Sequence, residues 1–189
     1  MASKSSGSFF RKFFKLIFSL AGLVVAVLAV IMMALPVSTV SVSVLGQTAT
    51  GTVSGFAWAF GGDCLFTLNG EVVDNISQTV DPNAGMLATV LLLIIGAVLA
   101  LIYVFFSWGH KNPSVKKGIG GVSALILLVG AILCFCATSL TGQETGNSSF
   151  GGLVDASSTL GIGAIMGGIF GIASALLMVI ATLLGPKEN

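Results

Sequence analysis

The sequence predicts an all-α membrane fold: a bundle of four transmembrane helices carrying a small extracellular antiparallel β-sheet from the first outer loop. Three observations lead there. Charged residues make up only 8% of the 189-residue chain, against about 25% in soluble domains. Four apolar runs reach the roughly twenty residues needed to cross a hydrocarbon layer about 30 Å thick, and none of them contains Asp, Glu, Lys, Arg or His. Between the first two runs, Val alternates with Ser and Thr, which is the period of a strand and not of a helix.

Residues 1–15 form a basic N-terminus whose "FFRKFFK" reads as ordinary positive flanking of a membrane helix, the alternative being an interfacial anchor in which Phe9, Phe10, Phe13 and Phe14 dip toward the acyl boundary. The first span covers 16–35 and stops at Pro36. Its apolar run is longer than the roughly 7–15 residues of a cleaved signal, so the helix is expected to be retained. Outer loop 1 covers 36–85. It opens with the alternating "VSTVSVSV", turns between Gly46 and Gly51, and returns as a strand from Thr52 to Phe60. A second turn at Gly61–Asp63 leads to "CLFTLNG", and Asn69-Gly70 is a two-residue hairpin signal before "EVVDNI". Three or four short strands are expected.

The second span covers 86–108, a short cytoplasmic loop 109–117, and the third span 118–140. Outer loop 2, residues 141–159, has the Gly, Ser, Thr and Asn content of an irregular connector, and Ser157 or Ser158 is the expected N-cap of the fourth span. That span covers 160–184 and leads into a cytoplasmic C-terminus, 185–189. Charge sets the orientation. All eight basic residues fall in the N-terminus, the short loop or the C-terminus, whereas six of the seven acidic residues (Asp63, Glu71, Asp74, Asp81, Glu144 and Asp155) fall in the two longer loops. Short loops rich in Lys and Arg stay cytoplasmic. The expectation is a multi-pass protein of the cell membrane with both termini inside.

The fourth span carries Gly163, Gly167 and Gly171 every four residues, with Gly168 and Gly161 beside them and Ala175 continuing the row. A soluble helix loses about 1 kcal/mol per such glycine, but membrane helices associate by close backbone packing, which bare positions permit. The row is expected to hold neighbouring helices of the bundle, with homodimerisation as the alternative.

Little of the sequence points to chemistry. The single histidine, His110, has no Cys, Asp or Glu at metal-ligand spacing. Cys134 and Cys136 read as buried small apolar residues, and Cys64 stands alone in loop 1 with no partner in either outer loop. No nucleophile with a base lies in any span, and the absence of ionisable groups there argues against a proton-coupled pump. No enzyme activity, cofactor, metal or nucleic-acid partner is expected. Asn75–Ser77 and Asn147–Ser149 have the form of glycosylation sequons.

Four spans, both ends inside, a strand-forming first loop of about fifty residues, a short second loop and "GFAWAFGGDC" with Trp58 ahead of Cys64 together resemble the claudin and PMP22-like tetraspan group. The second loop cysteine of that group is missing, so no stapling disulfide is implied here. The resemblance implies a cell-surface structural protein with adhesive or paracellular contacts. The expected function is that of a structural, adhesive or scaffolding component acting through its outer loops, the alternative being an oligomeric pore or a transporter's accessory subunit. Phe56, Trp58, Phe60 and Cys64 are the candidate outer contacts. Partners expected are membrane lipids, a protein bound through loop 1 or the glycine face of the fourth span, and a second copy of the chain.

Overall fold

The computed structural model describes residues 3–44, 47–72, 78–109, 113–141, 146–150 and 154–184. Its elements run α1 (Ser3–Met32), β1 (Pro36–Val44), β2 (Gln47–Ser54), α2 (Gly55–Phe60), β3 (Gly62–Leu68), β4 (Glu71–Val72), β5 (Gln78–Val80), α3 (Ala84–Gly109), α4 (Pro113–Phe135), α5 (Ala137–Leu140), β6 (Gly146–Phe150), β7 (Val154–Leu160) and α6 (Ile162–Leu183). Among the described residues, four helices are long and apolar enough to cross a membrane: Phe10–Met32, Ala84–Ser107, Ser114–Phe135 and Ile162–Leu183. By length and composition they mark an integral membrane protein.

The four long helices close into a ring in which α1 packs on α6, α6 on α4, α4 on α3 and α3 back on α1. Small residues set the spacing. On α1 the inward line is Lys15, Ser19, Gly22, Ala26, Ala29 and Met33, alternating steps of four and three that keep to one face of a helix. Hydroxyls bond glycine carbonyls across two of the seams: Ser174 Oγ donates to Gly22 O at 2.7 Å, and Ser123 Oγ to Gly96 O at 3.0 Å. In apolar surroundings such bonds contribute on average about 0.6 kcal/mol each, so close packing and not hydrogen bonding must hold the ring.

The glycines of α6 lie at two of these seams. A Cβ on Gly163 would stand 2.6 Å from Leu35 O and 2.7 Å from Met32 O, and one on Gly167 would stand 2.6 Å from Met33 Cε. Facing α4, a Cβ on Gly171 would meet Ala131 Cβ at 2.7 Å and one on Gly168 the Phe135 ring at 2.6 Å. The Gly163 obstacle is backbone, whereas the Gly167 obstacle is the free end of a methionine.

The strands form one sheet in the order β4-β3-β2-β1-β7-β6, with β5 pairing the near end of β3. All pairings are antiparallel. Asn69 and Gly70 have φ of 51° and 89°, the doubly positive turn that joins β3 to β4 as the sequence predicts. Asn69 also ties back to β2, its N–H donating to Thr48 O at 2.8 Å and its Oδ1 accepting from Thr48 N at 3.0 Å.

Several expectations are corrected. Among the described residues the sheet has seven strands and draws on both loops. The described part of residues 141–159 is not an irregular connector, because β6 and β7 are strands and all of β7 pairs with β1 from Ser38↔Leu160 to Val44↔Val154. Ser157 and Ser158 therefore belong to a strand and cap nothing. The N-cap of α6 is Gly161, which lacks a side chain to bond the first turn. Residues 55–60 are a short helix and not the end of a returning strand, since Ser54 Oγ accepts from Ala57 N at 3.1 Å and nucleates the turn. β2 begins at Gln47, so Gly51 lies mid-strand and not in a turn. Helix α4 starts at Pro113 and breaks at Cys136, which is exposed and not buried, while Cys134 is buried. Helix α1 starts at Ser3 and takes in the basic N-terminal residues. His110, Asn75–Ser77 and residues 185–189 lie outside the described residues.

The geometry at α6 makes a prediction about stability. Gly163→Ala should lower the melting temperature in detergent by the equivalent of about 1–3 kcal/mol, the usual cost of overpacking. Gly167→Ala should cost less, because the Met33 methyl can swing away. Equal, small losses at both positions would show that α6 does not seat against the end of α1.

Candidate functional site: the sheet end of the bundle

The end of the bundle that carries the sheet gathers most of the polar contacts and all the strand edges. Its first joint is the passage from helix to strand. Gly161 N donates to Val37 O at 2.8 Å, and a Cβ at Gly161 would run into the Pro36 carbonyl. As a result, α1 continues into β1 alongside β7 continuing into α6. The second joint is α2. Phe56 N donates to Met33 O at 3.2 Å, and the carbonyl of Trp58 accepts from Asn83 N at 2.7 Å. Asn83 then caps α3, its Oδ1 accepting from Gly85 N at 2.9 Å and Met86 N at 3.1 Å, while its Nδ2 donates to Leu140 O at 2.9 Å. One asparagine thereby ties α2, the start of α3 and the end of α5 together.

The two faces of the sheet differ. Cross-strand hydroxyl pairs, Ser41 with Thr50 at 3.3 Å and Ser43 with Thr48 at 3.1 Å, line one face. The other face is apolar and borders a half-open cavity of about 280 Å³ lined by Val40, Val42, Gly51, Trp58, Cys64 and Phe66. The indole of Trp58 crosses from α2 to the sheet and donates to Ser38 Oγ at 2.9 Å, which satisfies its only polar atom.

Of the four candidate contacts, Phe56 and Trp58 pack against the helix ends, Cys64 borders the cavity, and Phe60 is 57% exposed. Phe56 and Phe60 stack with ring centroids 6.5 Å apart. Three further apolar side chains stand exposed at the opposite end of the sheet from β6. These are Leu65 and Val72, each 63% exposed, and Leu68. Sequence reasoning passes over them because each looks like an ordinary strand residue. Only the pairing order, which leaves the two-residue β4 as a short edge, shows that nothing covers them among the described residues.

The chemistry available here is small. Among the described residues, no group of three or more His, Cys, Asp and Glu could hold a metal ion. Burial pushes the Cys64 thiol up from its ordinary range, and a hydrogen bond with the Thr52 backbone works against that shift. A raised thiol is mostly protonated at neutral pH and slow as a nucleophile.

That sign can be measured. In a Cys134→Ala, Cys136→Ala background, Cys64 should react slowly with a soluble aromatic disulfide at neutral pH. Its rate should still climb above pH about 8.5, where half of a free cysteine is already ionised. A rate that levels off earlier than that of free cysteine would mean an activated thiol.

No protein-family model matches the chain, and no curated protein matches it at a significant level. Among the described residues, four apolar helices long enough to cross a membrane and a small antiparallel sheet at one end fit a tetraspan architecture.

Proposed function

We propose that the protein is a non-enzymatic four-span component of the cell membrane, with both termini in the cytoplasm, that scaffolds or adheres through its sheet. The observation that carries this reading is the pair of exposed apolar side chains Leu65 and Val72 on one face at the edge of a sheet tied to the bundle, with Leu68 exposed on the other face. Exposed apolar side chains beside an unpaired strand are the usual material of a protein contact. The charge pattern supports the orientation. The described acidic residues Asp63, Glu71, Asp81 and Asp155 all lie on the sheet or its connections, while Arg11, Lys12, Lys15, Lys116 and Lys117 lie at the other end of the bundle, as the preference of basic segments for the cytoplasm requires.

Two measurements test the two halves. Single cysteines at Ser5, Thr48, Ser114 and Thr159, in a background without the native cysteines, should label with an impermeant maleimide on intact cells only at 48 and 159. Labelling at 114 would overturn the topology. A photo-crosslinking residue at Phe60 should give a discrete protein adduct that the double substitution Leu65→Ser, Val72→Ser removes without loss of folded protein. An adduct that survives the substitution would move the contact away from this edge.

A further inference from the structure

At the end of the bundle opposite the sheet, Lys15 is an unusual residue. It sits on the inward line of α1 and is only 9% exposed. Its ammonium lies 5.4 Å from the centroid of the Tyr103 ring on α3, a cation–π contact that offsets part of the cost of removing the charge from water. Lys116, one turn before Gly120 on α4, is close enough to act on it electrostatically. The face of Gly120 meets both Tyr103 and the Thr182 hydroxyl of α6, so all four long helices converge here. Thr182 Oγ1 donates to Met178 O at 2.7 Å. Among the described residues no carboxylate lies at this end, because Asp63, Glu71, Asp81 and Asp155 are all at the sheet. Among the described residues, the buried Lys15 ammonium and the nearby Lys116 therefore have no carboxylate to balance them.

The seam between α1 and α3 that Lys15 crosses is also the least extensive of the four. Along it runs a groove of about 310 Å³ lined by apolar side chains, among them Leu23, Val27, Val30, Ile94, Ala97 and Leu101. On α1 the lining reaches from Leu23 to Ile31, about 12 Å at the helical rise. Leu23 lies two turns beyond Lys15 and Leu101 two residues before Tyr103, so along the helix axes the cations lie beyond one end of the groove without lining it. Arg11 and Lys12 are exposed a turn further out. An apolar trough inside the membrane span, with positive charge beyond its interfacial end that no described carboxylate balances, has the shape and charge of a phospholipid's complement.

We propose that the α1–α3 seam seats one anionic phospholipid, its acyl chain in the groove and its phosphate at Lys15 and Lys116. The seat rests on the reading of the four helices as membrane spans. A second helix would fill the trough equally well but would leave the two ammonium groups unbalanced, and charge complementarity selects the lipid.

The test uses the full-length protein purified in a neutral detergent and titrated with dioleoylphosphatidylglycerol, dioleoylphosphatidylcholine or inorganic phosphate. Thermal stability and native mass spectrometry give the readouts. Phosphatidylglycerol should raise the melting temperature and stay bound at one per chain, and the other two should not. Lys15→Gln should weaken that retention about tenfold, the loss expected for one charge-assisted contact, and Lys15→Arg should keep it. Ala97→Trp should block the groove and abolish retention, and Lys116→Gln offers a second removal of charge should Lys15→Gln misfold. Equal retention of phosphatidylcholine would reduce the seam to ordinary lipid contact and overturn the proposal. A shift produced by inorganic phosphate alone would make it a site for soluble anions, and conversion of a parent dimer to a monomer by Ala97→Trp would assign the groove to a second copy. Carbonate extraction from liposomes separates the two levels. Protein that stays inserted without phosphatidylglycerol preference refutes the seat alone, and protein that washes out refutes the membrane reading beneath it.

Discussion

The close approach of the start of α6 to the end of α1 is the constraint on which the rest of the structure depends. The Leu35 and Met32 carbonyls stand where a Cβ on Gly163 would be, and the Pro36 carbonyl stands where one on Gly161 would be. Two backbones this close leave room for no side chain between them, which is why the fourth long helix begins with glycine where a Ser or Asp cap would ordinarily stand. The same approach lets Gly161 N bond Val37 O, so the pairing that begins in β1 and β7 starts at the last turn of the helices. An α1–β1 arm and a β7–α6 arm thus run antiparallel as one continuous unit, helix below and strand above.

Everything at the sheet end is referred to that unit. β1 is central, with β2 on one side and β7 on the other, and the alternation of Val with Ser and Thr gives the sheet its two faces. The hydroxyl face needs no cover. The apolar face receives Trp58, whose only polar atom finds Ser38 on β1. Asn83 then ties α2 to α3 and α5, so the sheet is anchored to three of the four long helices' ends and not suspended from a pair of flexible loops.

The four long apolar helices were legible because twenty apolar residues without a charge have few other uses. The second and fourth, read as 86–108 and 160–184, differ by two residues or fewer at each end from α3 and α6. The Asn69-Gly70 turn was legible for a comparable reason, since few residue pairs adopt two positive φ angles. What escaped was whatever depends on a distant partner. "VDASSTL" has the composition of a loop and becomes a strand only because β1 lies beside it. "GFAWAF" has a period-two aromatic pattern, but Ser54 caps a helical turn there and the ring of Trp58 finds its place by tertiary contact. At the candidate site the aromatic cluster was visible, whereas the exposed edge at Leu65, Leu68 and Val72 required the strand order. The meeting of Lys15 and Tyr103 has no local signature at all, because a basic residue ahead of a span looks like flanking charge until the neighbouring helix is known.

The pairing of β1 with β7 is the most direct point at which to test this account. Ser41 and Ser157 are Cα partners across the two strands, and directly opposed residues in antiparallel strands lie about 4.5–5.5 Å apart at Cα, within the range a disulfide spans. Cysteines at these two positions, in a background lacking Cys64, Cys134 and Cys136, should join within one chain on mild oxidation of membranes, seen as a shift on a non-reducing gel. The pair at 41 and 159, two residues out of register, should join far less. Equal crosslinking of both pairs, or of neither, would contradict a sheet in which the two loops are zipped together by the helices beneath them.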